Sequence, residues 1–319
     1  MDFEARIDLE LAETLRGFPD NAWNFDDLPG TRANFSQMVA AMRGILPSVE
    51  GVSMEDHHVP GAEGAPKVLV RVYTPDNRPT VLPGLLWIHG GGYIVGGIDQ
   101  DDLRMQHVAR TVGCVVASVE YRLAPEHPYP APLDDCYAGL AWFHRNAHKL
   151  GVDPARIAVG GASAGGGLAA GLALLARDRA EVPVCFQLLV YPMIDDRNVS
   201  PASHAITDGR VWNREKNLFG WKAYLGRDGG GPDVPSYAAA FRAKDLRGLP
   251  PAYIPVGDLD MFLDENIEYA QRLLQAGVPT ELHVYPGGYH AFDGYAPFSK
   301  ISQRFNDERD HALIRALHP

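Results

Sequence analysis

Strand-like and helix-like segments alternate along most of this 319-residue chain. Helical stretches separate the strand-like ones, which are apolar or alternate between apolar and polar residues. The strand-like segments are KVLVRVY, GLLWIHG, VGCVVASVEY, RIAVGG, CFQLLVYP, AYIPVGD and TELHVYPGG. Strands that alternate with helices form a mainly parallel central sheet with helices on both faces. The fold class expected from this pattern is therefore α/β.

Two stretches interrupt the alternation. Residues 1–46 are predicted to form two helices joined by a loop, and residues 198–235 contain aromatic helical pieces and a glycine-rich loop. We interpret them as two parts of a helical cap, because they could pack together outside the sheet. Residues 47–197 and 236–319 would then form the α/β core. The length of the chain would also allow two separate domains.

Charge and targeting signals exclude several classes of partner. The formal net charge is −11, whereas nucleic-acid binding requires clustered Lys and Arg, so no nucleic acid is expected. The first residues are acidic and form no signal peptide. The apolar run Leu168–Ala176 is too short to span a bilayer, so no membrane partner is expected. The acidic charge itself indicates only solubility.

The cysteines and histidines show no metal-binding spacing. The three cysteines are Cys114, Cys136 and Cys185, and at least one of them must be unpaired. Buried free thiols fit their apolar surroundings and a reducing, cytoplasmic compartment. No HExxH or similar pattern is present, so neither a metal nor a cofactor is predicted.

A candidate nucleophile lies between a strand and a helix. The sequence Gly161-Ala162-Ser163-Ala164-Gly165 is a G-x-S-x-G pattern, which places a serine on a sharp turn where larger flanking side chains would collide. The same stretch also fits G-x-G-x-x-A, a dinucleotide-binding pattern that begins at Gly165. That alternative is disfavoured because its first glycine should end the strand, and Gly165 lies five residues beyond Gly160.

Two further segments could complete a site for acyl transfer. His89-Gly90-Gly91-Gly92 follows a buried strand, and consecutive glycines let backbone N–H groups approach a developing oxyanion. His290 lies on a glycine-rich loop beyond the last predicted strand. Three acids, Asp258, Asp260 and Asp264, follow an earlier strand. These positions are carboxyl ends of strands, where open α/β sheets place their sites.

With these motifs in order, the sequence resembles the hormone-sensitive-lipase-like (bacterial type IV) carboxylesterases. The matching segments are HGGGY, VEYRLAPEHPYPAPLDD, GASAGGGLA, DMFLDENIEYAQRLLQAGV and YPGGYHAF, and they span about residues 67 to 317. The resemblance implies an α/β-hydrolase core with a helical cap. It also implies a serine carboxylesterase that acts on short- to medium-chain esters as small-molecule substrates. The resemblance is also compatible with a homodimer, but the sequence identifies no interface.

The resemblance assigns roles to individual residues. Ser163 corresponds to the nucleophile, His290 to the general base and Asp260 to the acid that orients it. The oxyanion-hole donors it implies are Gly91, Gly92 and Ala164.

The resemblance also suggests roles for residues near these positions. Asp264 fits a helix N-cap or an auxiliary carboxylate, and Arg122 and Glu126 are expected to brace the oxyanion loop. Ala162 departs from the Asp or Thr usual before the nucleophile, so the turn must be supported in another way.

Rival functions differ in what they require. An amidase or another acyl hydrolase could use the same three residues, because leaving-group preference depends on pocket shape. A non-catalytic ligand-binding protein on this fold is a weaker alternative, since all three residues are present. A nicotinamide oxidoreductase is disfavoured because the dinucleotide-binding pattern begins at Gly165, too far beyond the end of the strand.

Overall fold

Eight strands form one central sheet in this computed structural model, which describes residues 3–18, 23–76 and 81–319. The order across the sheet is β1-β2-β4-β3-β5-β6-β7-β8. The strands are β1 (Val52–Val59), β2 (Val68–Pro75), β3 (Leu82–Ile88), β4 (Val115–Glu120), β5 (Val152–Ala162), β6 (Phe186–Val190), β7 (Ala252–Leu259) and β8 (Thr280–Tyr289). The pairs β1–β2 and β2–β4 are antiparallel, and every other neighbouring pair is parallel.

Helices cover the sheet and form the segments that interrupt the alternation. They are α1 (Leu9–Arg16), α2 (Leu28–Ile45), α3 (Asp102–Val108), α4 (Ala131–Arg145), α5 (Ala147–Leu150), α6 (Ala164–Arg179), α7 (Pro201–Ala205), α8 (Arg214–Leu225), α9 (Leu263–Gln275), α10 (Phe292–Tyr295) and α11 (Lys300–Leu317). Every strand predicted from Lys67 onward is present, and the predicted α/β-hydrolase fold is confirmed.

Strand β1 was not predicted, because its sequence VSMEDHHV lacks the apolar pattern of a buried strand. It lies at the edge of the sheet, pairs only with β2, and leaves most of its side chains exposed or half-exposed. In contrast, all seven residues of β3 are buried at the centre of the sheet. An edge strand tolerates polar residues because only one of its sides is paired.

The core lies between the sheet and its helices, and α6 is buried along its length from Ala164 to Ala176. The glycines and alanines of α6 let it lie close to the sheet. All three cysteines are free thiols; Cys114 and Cys136 are buried and Cys185 is half-buried. No helix in the described ranges is both long enough and apolar enough to cross a membrane.

The two interrupting segments contact each other through aromatic rings. Trp23 meets Trp212 edge-on with ring centroids 5.5 Å apart, and Phe25 stacks on Phe219 at 4.4 Å. Residues 19–22, which lie inside the expected first part of the cap, and residues 1 and 2 are outside the described ranges.

Candidate active site

Ser163 lies on the sharp turn between β5, which ends at Ala162, and α6, which begins at Ala164. Its φ of 57° and ψ of −119° place it in a conformation that an L-residue rarely adopts. Backbone bonds hold it there: its N–H donates to the carbonyl of Val190 at 2.9 Å. Its own carbonyl accepts from the N–H groups of Gly167 at 2.9 Å and Met193 at 3.0 Å. These bonds support the turn that Ala162 cannot support with its side chain.

The glycines on either side of Ser163 are required by space. A Cβ atom on Gly161 would lie 2.3 Å from the carbonyl oxygen of Gly165, and a Cβ on Gly165 would lie 2.1 Å from that of Ile88. Both obstacles are backbone atoms, which cannot move aside without distorting β3 or α6. The G-x-S-x-G spacing therefore has the steric origin expected from the sequence.

His290 and Asp260 reach Ser163 from the carboxyl ends of β8 and β7. The Nε2 atom of His290 lies 2.9 Å from Oγ of Ser163, and its Nδ1 atom lies 2.7 Å from Oδ2 of Asp260. The other carboxylate oxygen of Asp260 accepts from the N–H of Phe262 at 2.9 Å. All three polar side chains are buried. The arrangement is a continuous hydrogen-bonded chain from acid to hydroxyl.

Two aromatic rings confine the imidazole. Phe262 and Tyr191 each meet His290 edge-on, with ring centroids 5.0 and 4.9 Å apart. Tyr191 is itself fixed, because its hydroxyl donates to Oδ1 of Asp293 at 2.7 Å. Burial raises the pKa of Tyr191 well above its usual value, so it remains a neutral donor.

The other two candidate acids, Asp258 and Asp264, bind partners other than His290. Asp258 accepts from the N–H of Gly287 at 2.6 Å and forms an ion pair with Arg6 at 2.5 Å. Asp264 accepts from the N–H of Ala202 at 2.6 Å. Asp264 therefore interacts with the first turn of α7, and the residue at the N-cap of its own helix, α9, is Phe262. The N-cap expectation for Asp264 is wrong in this respect.

The glycine loop after β3 lies against the Ser163 turn. Gly91 has a φ of 121° and Gly92 a φ of 59°, both in the left-handed region that favours glycine. A Cβ on Gly90 would lie 2.9 Å from the carbonyl oxygen of Ala162, which shows how closely the loop approaches. The N–H groups of Gly91, Gly92 and Ala164 donate to no acceptor among the described residues. Three backbone donors next to Ser163 are thus unoccupied.

Arg32 of α2 anchors this loop. Its Nε donates to the carbonyl of Ile94 at 2.8 Å, and its Nη2 to that of Ala124 at 2.9 Å. The same guanidinium pairs with both carboxylate oxygens of Glu126, at 2.7 and 2.8 Å, and holds the pKa of that carboxyl down at about 2. Glu126 therefore acts on the loop through Arg32.

Arg122 does not have the predicted bracing role. Its guanidinium forms two hydrogen bonds of 2.8 Å with the carboxylate of Asp135, on α4. The buried carboxylate also accepts from the N–H of Arg122 at 3.0 Å. The sequence pattern placed Arg122 near the site, but the neighbouring helix supplies its partner.

A cavity of about 420 Å³ opens over Ser163 and His290. Its lining contains two kinds of side chain. The apolar ones include Trp23, Phe35, Met38, Val39, Met42, Leu46 and Trp212. The polar ones include Arg43, Gln100, Asp101, Arg104, His107, Asn306 and Arg309. A cavity of this size suits a small organic molecule.

Charged side chains in and beside the cavity lining compensate one another. Nη2 of Arg104 lies 3.0 Å from Oδ2 of Asp293, and Nη1 lies 3.9 Å from Oδ1 of Asp101. Burial alone would lower the pKa of Arg104, but the two carboxylates outweigh that effect and raise it, so the guanidinium stays charged. Arg309 is similarly paired with the carboxylate of Asp310 at 2.7 Å.

Sequence reasoning missed Arg32, Tyr191, Arg104 and Asp293. Asp293 lies only three residues after His290, so its place near the site could have been suspected from spacing alone. Arg32 carries no local signal, because its partners are distant in sequence, and the same holds for the contact of Arg104 with Asp293. In the described ranges, no group of three or more His, Cys, Asp or Glu residues could hold a metal ion.

Comparisons with known proteins identify the family of the chain. A family profile for the α/β-hydrolase fold matches residues 85–294. Carboxylesterase NlhH of Mycobacterium tuberculosis is 36% identical over 318 residues, which cover 98% of this chain and 97% of that protein. Esterase LipI of the same organism is 38% identical over 251 residues, 78% of each chain.

Solved structures of esterases are also similar to this chain. A bacterial heroin esterase has a TM-score of 0.95 and 46% identity, with 99% of each chain covered. Esterase LipW from Mycobacterium marinum has a TM-score of 0.89 and 36% identity, with 100% of this chain and 98% of that chain covered. The chain thus belongs to the hormone-sensitive-lipase-like family of α/β hydrolases and is a carboxylic-ester hydrolase.

Proposed function

We propose that this protein hydrolyses short- to medium-chain carboxylic esters through a Ser163–His290–Asp260 triad and an acyl-enzyme. The observation that carries the proposal is the hydrogen-bonded chain of 2.7 Å from Asp260 to His290 and 2.9 Å from His290 to Ser163. Such a chain activates a serine hydroxyl, which is a weak nucleophile on its own.

Acylation begins when Oγ of Ser163 attacks the ester carbonyl carbon and Nε2 of His290 takes the hydroxyl proton. The carbonyl oxygen becomes an oxyanion, which accepts hydrogen bonds from the N–H groups of Gly91, Gly92 and Ala164. Each such donor contributes roughly 10²–10³ in rate. When the intermediate collapses, the bond to the leaving oxygen breaks, and His290 returns its proton to the departing alcohol.

Deacylation follows the same route with water. His290 takes a proton from a water molecule, whose oxygen attacks the acyl carbon of the Ser163 ester. The second tetrahedral intermediate uses the same three donors. Its collapse releases the carboxylic acid and returns the proton to Oγ of Ser163. Asp260 keeps the imidazole in the required orientation and stabilises its charged form throughout.

We further propose that residues 1–46 and 198–235 are two parts of one cap over residues 47–197 and 236–319, the catalytic core. The aromatic contacts between Trp23 and Trp212 and between Phe25 and Phe219 support this division. Apolar residues from both parts line the cavity. An apolar lining around a limited volume suits a short or medium hydrocarbon chain better than a long one.

The test combines a variant with a substrate series. Hydrolysis of p-nitrophenyl esters from acetate to palmitate should be fastest among the short and medium chains. Ser163→Ala should lose nearly all of this hydrolysis and all labelling by a fluorophosphonate probe. Ser53→Ala is the matched control, because Ser53 lies on the distant edge strand β1. Full turnover by Ser163→Ala would refute the triad, and fastest hydrolysis of palmitate would refute the chain-length preference.

A further inference from the structure

Glu265 is a buried acid that no step of the proposed mechanism uses. It lies in the first turn of α9 and is 4% exposed. Its Oε1 accepts hydrogen bonds from the N–H groups of Ile194 at 2.9 Å and Asp195 at 3.3 Å. Burial of a carboxyl group is unfavourable unless such bonds compensate for the lost water. The contacts of Glu265 thus serve to hold the backbone of these two residues.

The neutral form of Glu265 is favoured. Burial raises the pKa of its carboxyl well above the usual value, and the nearby carboxylates of Asp195 and Asp260 raise it further. The bonds from the two backbone N–H groups oppose this effect, but burial is the largest influence. A neutral carboxyl group resembles a glutamine amide in shape, and both present an oxygen that accepts hydrogen bonds.

The segment that Glu265 binds also supports the nucleophile. We call residues 192–195 the strap. The N–H of Met193, in the strap, donates to the carbonyl of Ser163 at 3.0 Å. Because Met193 directly precedes Ile194, the bonds to Glu265 fix the backbone beside the bond to Ser163.

Ser163 depends on this support, because its backbone is strained. Its φ of 57° is rarely adopted by an L-residue, and such conformations persist only where the surrounding structure enforces them. The strap approaches α6 closely, since a Cβ atom on Gly167 would lie 2.1 Å from the carbonyl oxygen of Met193. The strap therefore has no room to move towards α6, and a shift away from it would break the bond to Ser163.

The start of α9 holds both ends of the strap. Besides the two bonds to Glu265, the strap accepts a bond at Pro192, whose carbonyl lies 2.8 Å from Nδ2 of Asn266. The same stretch of chain carries Asp260, whose carboxylate binds the imidazole of the triad. Residues 260–266 thus orient the base through their first residue and support the nucleophile through their last two.

We infer that Glu265 is a positioning residue for the reaction: it holds the strap where the strap fixes the backbone of Ser163. Glu265 lies outside the cavity lining, so it acts on the nucleophile only through the strap. Without its bonds the Ser163 turn is free to relax, and Oγ leaves the place that attack on the ester requires. The inference rests on the proposed function, since it takes Ser163 as the nucleophile.

Two substitutions at Glu265 test the inference. Glu265→Leu leaves two buried N–H groups without an acceptor, whereas Glu265→Gln keeps the acceptor. Active sites are counted by the p-nitrophenol that p-nitrophenyl diethyl phosphate releases, and kcat for p-nitrophenyl butyrate is expressed per counted site. Glu265→Leu should lower this kcat by about 10- to 100-fold with little change in KM, because a small displacement of a reacting group is enough for such a loss. Glu265→Gln should keep nearly full kcat.

Gln187→Met is the matched control. Gln187 is buried in β6, and its Nε2 donates to the carbonyl of Pro250 at 2.8 Å. This substitution also removes a buried bond between a side chain and the backbone. It does so towards the opposite end of the strand from Val190, which binds the N–H of Ser163. Gln187→Met should lower stability and keep full kcat per active site.

The counted sites separate positioning from a purely structural role. Fewer active sites with full kcat per site in Glu265→Leu would overturn the inference, because Glu265 would then serve folding alone. So would an equal loss of kcat in Glu265→Gln, because the hydrogen-bond acceptor would then be irrelevant. The second-order rate of labelling by a fluorophosphonate probe should fall together with kcat in Glu265→Leu, since labelling needs the same attack by Ser163 and no deacylation.

Asn266→Leu provides the test if Glu265→Leu yields no folded enzyme. It releases the strap only at Pro192 and should lower kcat per active site by about 3- to 10-fold, as expected for loss of one hydrogen bond. Full kcat per site in this variant would overturn the inference, because the strap would then not control Ser163. The proposed function fails separately, and only if Ser163→Ala still hydrolyses p-nitrophenyl butyrate.

Discussion

Oδ2 of Asp260 lies 2.7 Å from Nδ1 of His290, and this contact distinguishes Asp260 from the two other acids that follow the same strand. Asp258 is only two residues away, but its carboxylate is engaged by Gly287 and Arg6. The N–H of Phe262, two residues further on, holds the second oxygen of Asp260. The turn after β7 therefore presents one carboxylate to the imidazole.

Neutralising Asp260 and neutralising Asp258 should have very different effects on activity. Asp260→Asn is expected to lower kcat for p-nitrophenyl butyrate by about 10⁴, because the amide cannot stabilise the charged imidazole and favours the wrong tautomer. Asp258→Asn should lower kcat by less than about 10-fold. Stopped assays of both variants at equal folded concentration provide the comparison. Similar losses in the two variants would contradict the assignment of Asp260.

A methyl group on the oxyanion loop should also be poorly tolerated. Gly91→Ala would bring a Cβ atom to 2.1 Å from the carbonyl oxygen of Val95, at a φ of 121° that an L-residue avoids. The loop must shift, so one oxyanion donor is displaced and kcat should fall by about 10²–10³.

Gly44→Ala is the matched control for this prediction. Gly44 lies within α2, and a Cβ atom there would have nothing within 4 Å. This variant should keep full activity and gain up to about 1 kcal/mol in free energy of unfolding, since alanine favours the helix. Undiminished kcat in Gly91→Ala would show that the loop does not supply the donors.

Arg32 should contribute more to stability than its partner Glu126. Arg32→Gln leaves the carbonyls of Ile94 and Ala124 without their donor, and we expect the free energy of unfolding to fall by about 1–2 kcal/mol. Glu126→Gln keeps these bonds and weakens only an ion pair whose carboxylate is half-exposed, so it should lose less than about 1 kcal/mol. Urea denaturation measures both, and the opposite order would mean that the ion pair dominates.

The elements that build the site were predictable because each has a local signature. The Ser163 turn and the glycine loop need glycines for steric reasons that depend only on neighbouring backbone. The order of serine, acid and histidine follows from the order of the strands. Sequence reasoning also predicted seven of the eight strands.

The remaining features depend on partners that are distant in sequence. Arg32 lies 94 residues from Glu126, and Tyr191 lies 102 residues from Asp293. Nothing in the local pattern around these residues shows that they meet. Edge strand β1 was missed for a related reason, since its pairing with β2 stabilises a segment that has no apolar pattern of its own. Such features are set by tertiary structure.

Lys216 of α8 is buried near Trp23, which lines the cavity. Its ammonium group donates to the carbonyls of Gly209 at 2.5 Å and Val211 at 2.6 Å, and it lies 5.8 Å from the ring centroid of Trp23. These bonds hold the loop that carries Trp212 against Gly92. Burial lowers the pKa of Lys216 to about 8.

This lowered pKa predicts a specific dependence of stability on pH. Between about pH 8 and 10.5 the folded chain has lost the Lys216 proton while the unfolded chain still holds it, so the free energy of unfolding should rise with pH in this window. The rise, about 2–3 kcal/mol in total, should be absent in Lys216→Met. The difference between the two proteins in urea denaturation should therefore grow from pH 7.5 to 10.5, because other titrating groups cancel. Lys67→Met, at an exposed site, should show no such divergence. A constant difference for Lys216→Met would mean that the two carbonyl bonds keep the ammonium charged across the whole range.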